Sequence, residues 1–503
     1  MSTNQTEAEA EAGLSQDSPP GDKGLQGDSV GLLAAVALGL ASVAPAYSIA
    51  VTLGLVTLVV GHLAPAALLL GFVPILLTAF AFRELNREMP DCGTNFVWNT
   101  RAFGPFVGWM SGGWVPTIAT LISVTALSQV GATYLLNLVG LHTLAGDTAA
   151  VAATGVLLLA VVTAIGYRGL QIATSVQYLL LALQLLALLG FGVAALMRHG
   201  AATPSLGWLN PLGFGGFGPF AKAVLLCLFI YWGWDSALTV NEEARDRTRA
   251  PGRAAVISTV ALLGTYLFTA VAAISFAGTG STGLGLGNQA NAADVLATLA
   301  PAALGGPLAK VVRLAVCMSA IAGLLTCVVS TARPNVSVAS HGAMPRIFAR
   351  VHPRFRTPTF ATLFSGVLAA CLLTSLTAAS PSFLSDAILS IGLMVCSYYG
   401  ATAFACVWHF RHELRGSAHS LVFKGVLPLA GGLMMLAAFL RSAHDMFAPS
   451  YGSTSFDGVG GVFLLGMGSM VFGIAVTALM RVLHPDFFRN GRTTVADLIV
   501  TED

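Results

Sequence analysis

The chain has 503 residues, of which 55% are hydrophobic and only 10% are charged. A soluble domain carries about 25% charged residues, so this composition excludes an ordinary soluble protein and favours one embedded in a membrane. The net charge of +2 gives no indication of a nucleic-acid partner.

The first 28 residues differ from the rest of the chain. They are rich in Glu, Asp, Ser, Gly and Gln and contain no aromatic residue. Such a segment cannot bury enough apolar surface to offset the entropy lost on ordering. It also lacks the basic start and apolar core of a signal peptide. We therefore expect residues 1–28 to form a disordered cytoplasmic tail, and residues 483–503 to form a C-terminal cytoplasmic tail.

Twelve apolar segments follow, each long enough for an α-helix to cross the hydrocarbon layer, which takes about 20 residues. A helical fold is required because lipid cannot satisfy free backbone N–H and C=O groups. The segments lie at approximately residues 30–60, 64–82, 105–138, 149–166, 170–197, 216–241, 254–278, 303–332, 358–379, 384–409, 421–440 and 459–480. The sequence thus predicts an all-α polytopic membrane protein with 12 transmembrane helices.

The distribution of Lys and Arg predicts the orientation, because these residues are concentrated in cytoplasmic loops. With the N-terminus inside, twenty of the 25 Lys and Arg residues fall on the cytoplasmic side and five fall outside it. We therefore expect a multi-pass protein of the bacterial cell membrane with both termini in the cytoplasm. A helix missed early in the chain would scramble this alternation, so the pattern also supports the number of segments.

The first segment is longer than one crossing requires, and its middle contains Pro45. Proline has no N–H, and its ring clashes with the carbonyl four residues earlier, on Ala41. Ser42 and Ser48 offer alternative hydrogen bonds to nearby backbone groups. Either the helix unwinds here beside a cavity or ligand, or neighbouring helices repair a simple proline kink.

The sixth segment contains the second unusual stretch, with Gly233 as its weak point and Asp235 as the only carboxylate in the central part of any segment. An acid within the membrane is costly and indicates a functional site, although a structural hydrogen bond to a neighbouring helix is an alternative. Interrupted helices at corresponding places in two halves of a chain are typical of transporter sites. Breaks in segments one and six therefore indicate an inverted repeat of five helices.

Three stretches of the chain resemble the amino acid–polyamine–organocation permeases. Residues 84–114 share four features with that family: an acidic residue, a proline, a Gly-aromatic run, and an aromatic–Gly pair at the start of a helix. Residues 231–258 and 331–364 are also similar to the family. The resemblance implies a leucine-transporter-like fold of five plus five inverted helices followed by two C-terminal helices. The corresponding boundaries are 29–197 for the first repeat, 198–410 for the second repeat, and 411–482 for the last two helices.

The resemblance also implies a substrate site. In the family, the unwound backbone of helix one binds the substrate carboxylate, helix six helps to hold the amine, and a polar residue of helix three faces the site. The positions that match in this chain are Ser42, Val43, Ala44, Pro45, Ala46, Tyr231, Trp232, Gly233, Asp235 and Ser123. The family's Gly-Ser/Thr-Gly in helix one is absent, and bulkier residues take its place.

Three residues are candidates for coupling transport to H⁺ or Na⁺. Asp235 could carry the proton. Gln184 lies where some family members have a lysine on helix five, but a neutral amide cannot replace a titrating cation. Ser319 on helix eight either contributes to a sodium-like site or bonds its own helix. We expect no cofactor and no resident metal, because the histidines lie in loops or near segment ends without metal-ligand spacing.

We therefore expect a secondary active transporter that moves a small amino acid or amine by alternating access, and not an enzyme. One alternative is a same-fold transporter of a polyamine, nucleobase or cation. Another is a membrane-embedded enzyme, but no His/Asp or Ser/His/Asp group is evident at the membrane face. The expected partners are a small-molecule substrate and the lipid bilayer; the sequence does not determine the oligomeric state.

Overall fold

The computed structural model describes residues 23–198 and 200–490. Within this part of the chain, ten stretches are long and apolar enough to cross a membrane. The first of them, Leu32–Glu88, contains more than one helix, and two shorter apolar helices, Phe217–Phe229 and Val295–Leu304, accompany the ten. The chain is therefore a polytopic helical membrane protein.

The first half of the bundle runs from residue 32 to residue 197. Its helices are α1 (Leu32–Ser42), α2 (Pro45–Val60), α3 (Ala64–Glu88), α4 (Asn95–Phe103), α5 (Pro105–Leu138), α6 (Thr148–Arg168) and α7 (Leu170–Met197). Asp147 caps α6 by accepting a hydrogen bond from the Ala150 N–H at 2.8 Å. This bond satisfies one of the backbone donors that a helix start leaves free.

The second half of the bundle runs from residue 217 to residue 490. Its helices are α8 (Phe217–Phe229), α9 (Ser236–Thr239), α10 (Ala250–Ala277), α11 (Val295–Leu304), α12 (Gly306–Ser340), α13 (Thr359–Ala379), α14 (Pro381–Phe410), α15 (Ala418–Phe447), α16 (Gly461–Leu483) and α17 (Pro485–Asn490). An antiparallel hairpin of β1 (Ser455–Phe456) and β2 (Val459–Gly460) joins α15 to α16. Asp386 anchors this connection by accepting hydrogen bonds from the Ser453 and Thr454 N–H groups.

The long helix α12 is the centre of the bundle. It packs against α1, α2, α5, α6, α7, α11 and α13. In its most apolar stretch, 72% of the residues are buried within the protein, against 22% in α16. A helix that faces protein on most sides acts as a scaffold, whereas α16 keeps most of its apolar surface for lipid.

The predicted break in the first segment is present, immediately before Pro45. α1 ends at Ser42, Val43 and Ala44 leave the helix, and Pro45 begins α2. Ala44 has φ 50° and ψ 64°, a left-handed conformation that non-glycine residues rarely adopt. Proline suits the first position of a helix because no N–H is needed there. Pro45 and Ala46 are therefore helical, and only the two residues before them are unwound.

The predicted break in the sixth segment is also present. α8 ends at Phe229 and α9 begins at Ser236, so residues 230–235 lie in turns. Gly233 has φ 118°, in the left-handed region that favours glycine. The sixth segment is thus two unequal helices joined by six residues of irregular backbone.

Part of each expected tail packs on the bundle. Residues 1–22 and 491–503 lie outside the described residues. Lys23 is only 2% exposed, and the N–H groups of Ser29 and Val30 both donate to the Glu243 carbonyl at 2.9 Å. At the other end of the chain, Phe487 is buried against other aromatic rings. Residues 23–28 are thus held by the bundle, which the composition of this segment did not predict.

Candidate functional site

The breaks of the first and sixth segments lie against each other. Ser42 Oγ and Ser236 Oγ are 2.8 Å apart. A Cβ added to Gly233 would lie 3.1 Å from Ser42 Oγ and 3.2 Å from the Ser42 carbonyl carbon. The two unwound segments therefore form one junction inside the bundle, as the sequence predicts.

A cavity of about 630 Å³, part of it open to solvent, lies beside this junction. Its lining residues are Ser42, Thr94, Asn95, Gly112, Pro116, Thr117, Thr120, Ser123, Trp232, Gly233, Asp235, Ser236, Thr239, Cys327, Ser330, Thr331, Pro334 and Tyr398. These residues include one carboxylate, many hydroxyls, and no Lys, Arg or His. The charge of the wall favours a molecule with a positive group.

Asp235 accepts hydrogen bonds from two tyrosines of α14. The Tyr399 hydroxyl donates to Oδ1 at 2.9 Å and the Tyr398 hydroxyl donates to Oδ2 at 3.2 Å. Trp232 Nε1 donates in turn to the Tyr398 hydroxyl oxygen at 2.5 Å. In the described part of the chain, Asp235 has no ionic partner within salt-bridge distance. Because each carboxylate oxygen has a further lone pair, Asp235 can accept another bond from a ligand in the cavity.

The cavity brings together half of the predicted substrate-site residues. Those that line it are Ser42, Ser123, Trp232, Gly233 and Asp235. The others, which are buried elsewhere, are Val43, Ala44, Pro45, Ala46 and Tyr231. The Tyr231 hydroxyl donates to the Leu68 carbonyl at 3.1 Å, which directs this ring into the α3 interface. Because α2 restarts at Pro45, the residues of the first break pack between helices, and only Ser42 reaches the cavity.

The remaining coupling candidates do not line the cavity. Gln184 is fully buried in α7, and neither atom of its amide group has a hydrogen-bond partner among the described residues. Ser319 is fully buried in α12, and its Oγ accepts a hydrogen bond from the Tyr47 N–H at 3.3 Å. Ser319 therefore contacts the start of α2, close to the first break.

The cavity residues Tyr398, Thr117 and Thr120 were not identified from the sequence, and neither was Tyr399, which bonds Asp235 from behind the cavity wall. A tyrosine in an apolar helix resembles a packing residue. The signal that could have identified the two tyrosines is that a buried Tyr hydroxyl usually needs a hydrogen-bond partner. Asp235 is the only carboxylate in the central part of any predicted segment, so it was the natural partner to consider.

An ionic cluster, formed by Lys23, Asp91, Glu242, Glu243 and Arg333, lies at one end of the bundle. The Lys23 ammonium lies 2.9 Å from Asp91 Oδ2 and also bonds the Glu242 carboxylate. Arg333 binds Glu243 through two nitrogens, with Nη2 3.0 Å from Oε1. Apart from Asp91, which is 18% exposed, the side chains are no more than 8% exposed. Removing one partner from such a cluster leaves a buried charge without compensation.

The cluster borders the cavity. Asp91 Oδ1 accepts hydrogen bonds from the Gly93 N–H at 2.7 Å and from the Ser337 hydroxyl at 2.5 Å. Asn95 and Pro334, which lie close to these two residues in the chain, line the cavity. The cluster thus ties together the segments that form the cavity wall at this end of the bundle.

Two acids of this cluster and the neighbouring Cys92 could ligate a metal. Potential ligand atoms of Asp91, Cys92 and Glu242 lie within 4.8 Å of one another. Lys23 Nζ, however, lies 3.8 Å from Cys92 Sγ and bonds both carboxylates. The ammonium group therefore takes the place that a metal ion would need.

Replacing Lys23 by Met is expected to destabilise the protein by about 2 kcal/mol near neutral pH. Burial alone would lower the pKa of Lys23, but the acidic groups of Cys92, Asp91 and Glu242 raise it above its ordinary value. Burial would likewise raise the pKa of Asp91, but Lys23 and the bonds from His341 and Ser337 hold it well below its usual range. Both charges of the native pair therefore persist from mildly acidic to mildly basic pH.

Without Lys23, no ammonium group offsets the burial of Asp91 beside the Glu242 carboxylate, and the pKa of Asp91 rises above its unfolded value. The loss of stability should therefore shrink as the pH falls from about 8 to about 5, since protonation then favours the folded variant. Melting curves in detergent at several pH values measure this difference. Lys222→Met, at an exposed lysine, serves as the matched control. A loss of stability in Lys23→Met that is the same at every pH would contradict this account of the ionic cluster.

Replacing Gly233 by Ala is expected to impair the transport activity that the sequence predicts, while leaving the protein folded. A side chain at φ 118° is strained, at a cost of about 1–3 kcal/mol, and its Cβ would press on Ser42 across the junction. Uptake into proteoliposomes measures the effect. Gly264→Ala is the control, because a Cβ added in that part of α10 meets no atom within 4 Å. Wild-type uptake by the Gly233 variant would show that the junction tolerates a side chain.

Comparison with known proteins places this arrangement in a family. A model described as amino acid permease matches residues 30–481. An uncharacterized transporter of Mycobacterium tuberculosis is 29% identical over 355 residues, which cover 68% of this chain and 73% of that protein. The serine/threonine exchanger of Bacillus subtilis is 25% identical over 387 residues, 74% of this chain and 82% of the exchanger. A putative arginine/ornithine antiporter of Escherichia coli is 28% identical over 300 residues, covering 57% and 63%. The chain therefore belongs to the amino acid permease family.

Proposed function

We propose that this protein is a secondary active transporter that moves a small amino acid or amine across the cell membrane by alternating access. The observation that carries the proposal is the cavity at the junction of two broken helices, with the Asp235 carboxylate in its wall and no cationic residue beside it. The named relatives that handle serine and threonine, or arginine and ornithine, support the same substrate class.

In this proposal Asp235 binds the ammonium group of the substrate. Tyr398 and Tyr399 hold the carboxylate in place by donating one hydrogen bond to each oxygen. The cavity wall also offers the hydroxyls of Thr117, Thr120 and other residues, which can donate to a substrate carboxylate or hydroxyl. One negative charge in the wall and no positive charge favour a zwitterion or a cation over an anion.

The proposed architecture has twelve membrane crossings arranged as five plus five inverted helices and two more. The stretch Leu32–Glu88 supplies two crossings, and the interrupted pair α8 and α9 supplies one that is too short to qualify as a single helix. These two additions bring the ten long stretches to twelve. The equivalent positions of the breaks, in the first and sixth crossings, support the repeat. Both termini lie in the cytoplasm in this arrangement.

Alternating access requires the cavity to open to one side at a time. We assign the ionic cluster to the cytoplasmic gate, because it joins Lys23 of the N-terminal segment to Glu242 after α9 and to Asp91 after α3. Opening at this end separates these partners and exposes the cavity past Asn95 and Pro334. α1, α2, α8 and α9 are the elements that move against the scaffold around α12.

A ligand screen with matched pairs tests the proposed substrate class. A ligand that binds the folded protein raises its melting temperature. Serine and its amine-free counterpart, glyceric acid, differ only in that a hydroxyl of glyceric acid replaces the ammonium group that Asp235 is proposed to bind. We expect amino acids or amines to stabilise the purified protein and their amine-free counterparts to have no effect. Proteoliposome uptake with and without internal substrate then separates exchange from net uptake. Stabilisation only by ligands without an amine would overturn the proposal.

A further inference from the structure

A second cavity lies between α6 and α13. It shares no lining residue with the substrate cavity, which is the cavity beside the two helix breaks. Its volume is about 1290 Å³, and its wall is mainly apolar, including Val156, Ala160 and Ala370. Val367 on its rim is 63% exposed and Leu363 is 47% exposed. This cavity is therefore a groove on the surface that the bundle presents to the lipid.

The length of the groove matches one leaflet of a bilayer. The residues of α6 that line the groove run from Val156 to Arg168. At the rise of an α-helix, the distance between them along the axis is about 18 Å. The hydrocarbon layer is about 30 Å thick, so one leaflet takes about 15 Å. A single acyl chain can therefore run along the groove from the interface to the bilayer centre.

A buried hydroxyl in the groove has no partner in the protein. Thr163 is 7% exposed, and its Oγ1 makes no hydrogen bond to any described residue. Gly366 of α13 faces it, and a Cβ at this glycine would come within 2.5 Å of the hydroxyl oxygen. An unpaired hydroxyl in an apolar surrounding is costly. Because Thr163 lines the groove, a turn of its side chain would let this hydroxyl donate to a ligand that carries a hydrogen-bond acceptor.

One end of the groove is cationic and aromatic. Arg168 lies there, beside Tyr167 and Phe355, and the Arg354 guanidinium lies over the Phe355 ring at 5.7 Å. Neither arginine has an ionic partner in the described chain. The sequence contains no Asp or Glu at positions 148–234 or 295–385, which include both helices of the groove. This end therefore complements an anionic group at the membrane interface.

We propose that the groove binds one anionic phospholipid. The phosphate lies at Arg168 and Arg354, an ester carbonyl accepts a hydrogen bond from Thr163, and an acyl chain packs along Ala160 toward Val156. α6 and α13 both pack against α5 and α12, two helices whose residues line the substrate cavity. A bound lipid therefore stabilises the scaffold on which the transport site is built.

The first test compares two lipids with the same acyl chains, phosphatidylglycerol and phosphatidylcholine, added to the delipidated protein in detergent. Melting curves and native mass spectrometry measure binding. We expect phosphatidylglycerol to raise the melting temperature and to remain bound, and phosphatidylcholine to do neither. Arg168→Gln should weaken binding about tenfold, as expected for the loss of a charge-assisted contact. Arg198→Gln, at an exposed arginine after α7, should leave it unchanged.

Two further variants locate the lipid in the groove. Ala160→Phe fills the groove and should abolish the effect of phosphatidylglycerol, whereas Leu157→Phe, on an exposed face of the same helix, should not. Without lipid, the Thr163→Val variant should melt no lower than the wild type, because no hydrogen bond within the protein is lost. When lipid is added, its melting temperature should rise less than that of the wild type. Equal stabilisation by both lipids, or an unchanged response in Ala160→Phe, would overturn the proposal. If the wild type is a dimer and the Ala160→Phe variant is a monomer, the groove binds a second copy of the chain, and the lipid proposal is overturned.

Discussion

Asp235→Asn is expected to eliminate most of the transport activity while the protein stays folded. Asparagine has the same shape and can still bond one tyrosine, but it cannot pair with an ammonium group. A hydrogen bond to a charged group contributes about 1.5–3 kcal/mol, so substrate affinity should fall about 10- to 100-fold. Initial rates of uptake at several substrate concentrations, together with ligand-induced shifts in melting temperature, measure the loss.

Graded variants separate the charge of Asp235 from its hydrogen bonds. Tyr398→Phe and Tyr399→Phe each remove one neutral donor and should reduce affinity less than the loss of the carboxylate. Asp457→Asn, on an exposed turn between β1 and β2, is the matched control and should transport normally. Full transport by Asp235→Asn with unchanged pH dependence would remove this residue from the mechanism.

Arg333→Met is expected to give the largest loss of stability among single substitutions in the ionic cluster. Arg333 is 2% exposed and Glu243 is fully buried, and two nitrogens of the guanidinium bond the carboxylate. Removing one member of a buried ion pair costs about 3–5 kcal/mol, because the other charge stays buried without compensation. Melting temperature in detergent and the yield of monodisperse protein measure the effect.

A double variant distinguishes the loss of a charge partner from the loss of packing. Arg333→Met combined with Glu243→Gln removes both charges and should recover part of the stability. Arg350→Met, at an exposed arginine, should be nearly neutral. If the double variant were less stable than Arg333→Met, the unpaired carboxylate would not be the cause of the loss.

The positions of the long helices could be predicted from the sequence because membrane crossing demands an apolar stretch of fixed length. The breaks could also be predicted, since Pro45 and Gly233 each weaken the interior of a helix and lie at corresponding places in the first and sixth segments. The detail of the first break could not. Proline is unfavourable in the interior of a helix but is well suited to begin one. Only tertiary packing decides whether Pro45 kinks one long helix or begins a second helix. The structure uses it to begin α2, so the unwound residues precede it.

The candidate site was predictable where a single residue is clearly costly to place within the membrane, as the carboxylate of Asp235 is in the middle of its segment. It was not predictable where a role depends on long-range contacts. Tyr398 and Tyr399 follow Asp235 by more than 160 positions, and nothing local distinguishes them from packing residues. Lys23 stands in a polar segment whose composition indicates disorder. Its burial depends on acids contributed by distant loops.

The contact between Lys23 and Glu242 has a consequence for how the protein is made. The two residues are separated by 219 positions, so Lys23 leaves the ribosome long before its partner is synthesised. Until Glu242 has been made, the Lys23 ammonium group has only Asp91 as a carboxylate partner in the cluster. Arg333, which pairs with Glu243, is made later still. The complete cluster can therefore assemble only after Arg333 in α12 has been made, which is later than the synthesis of the helices that carry the two breaks.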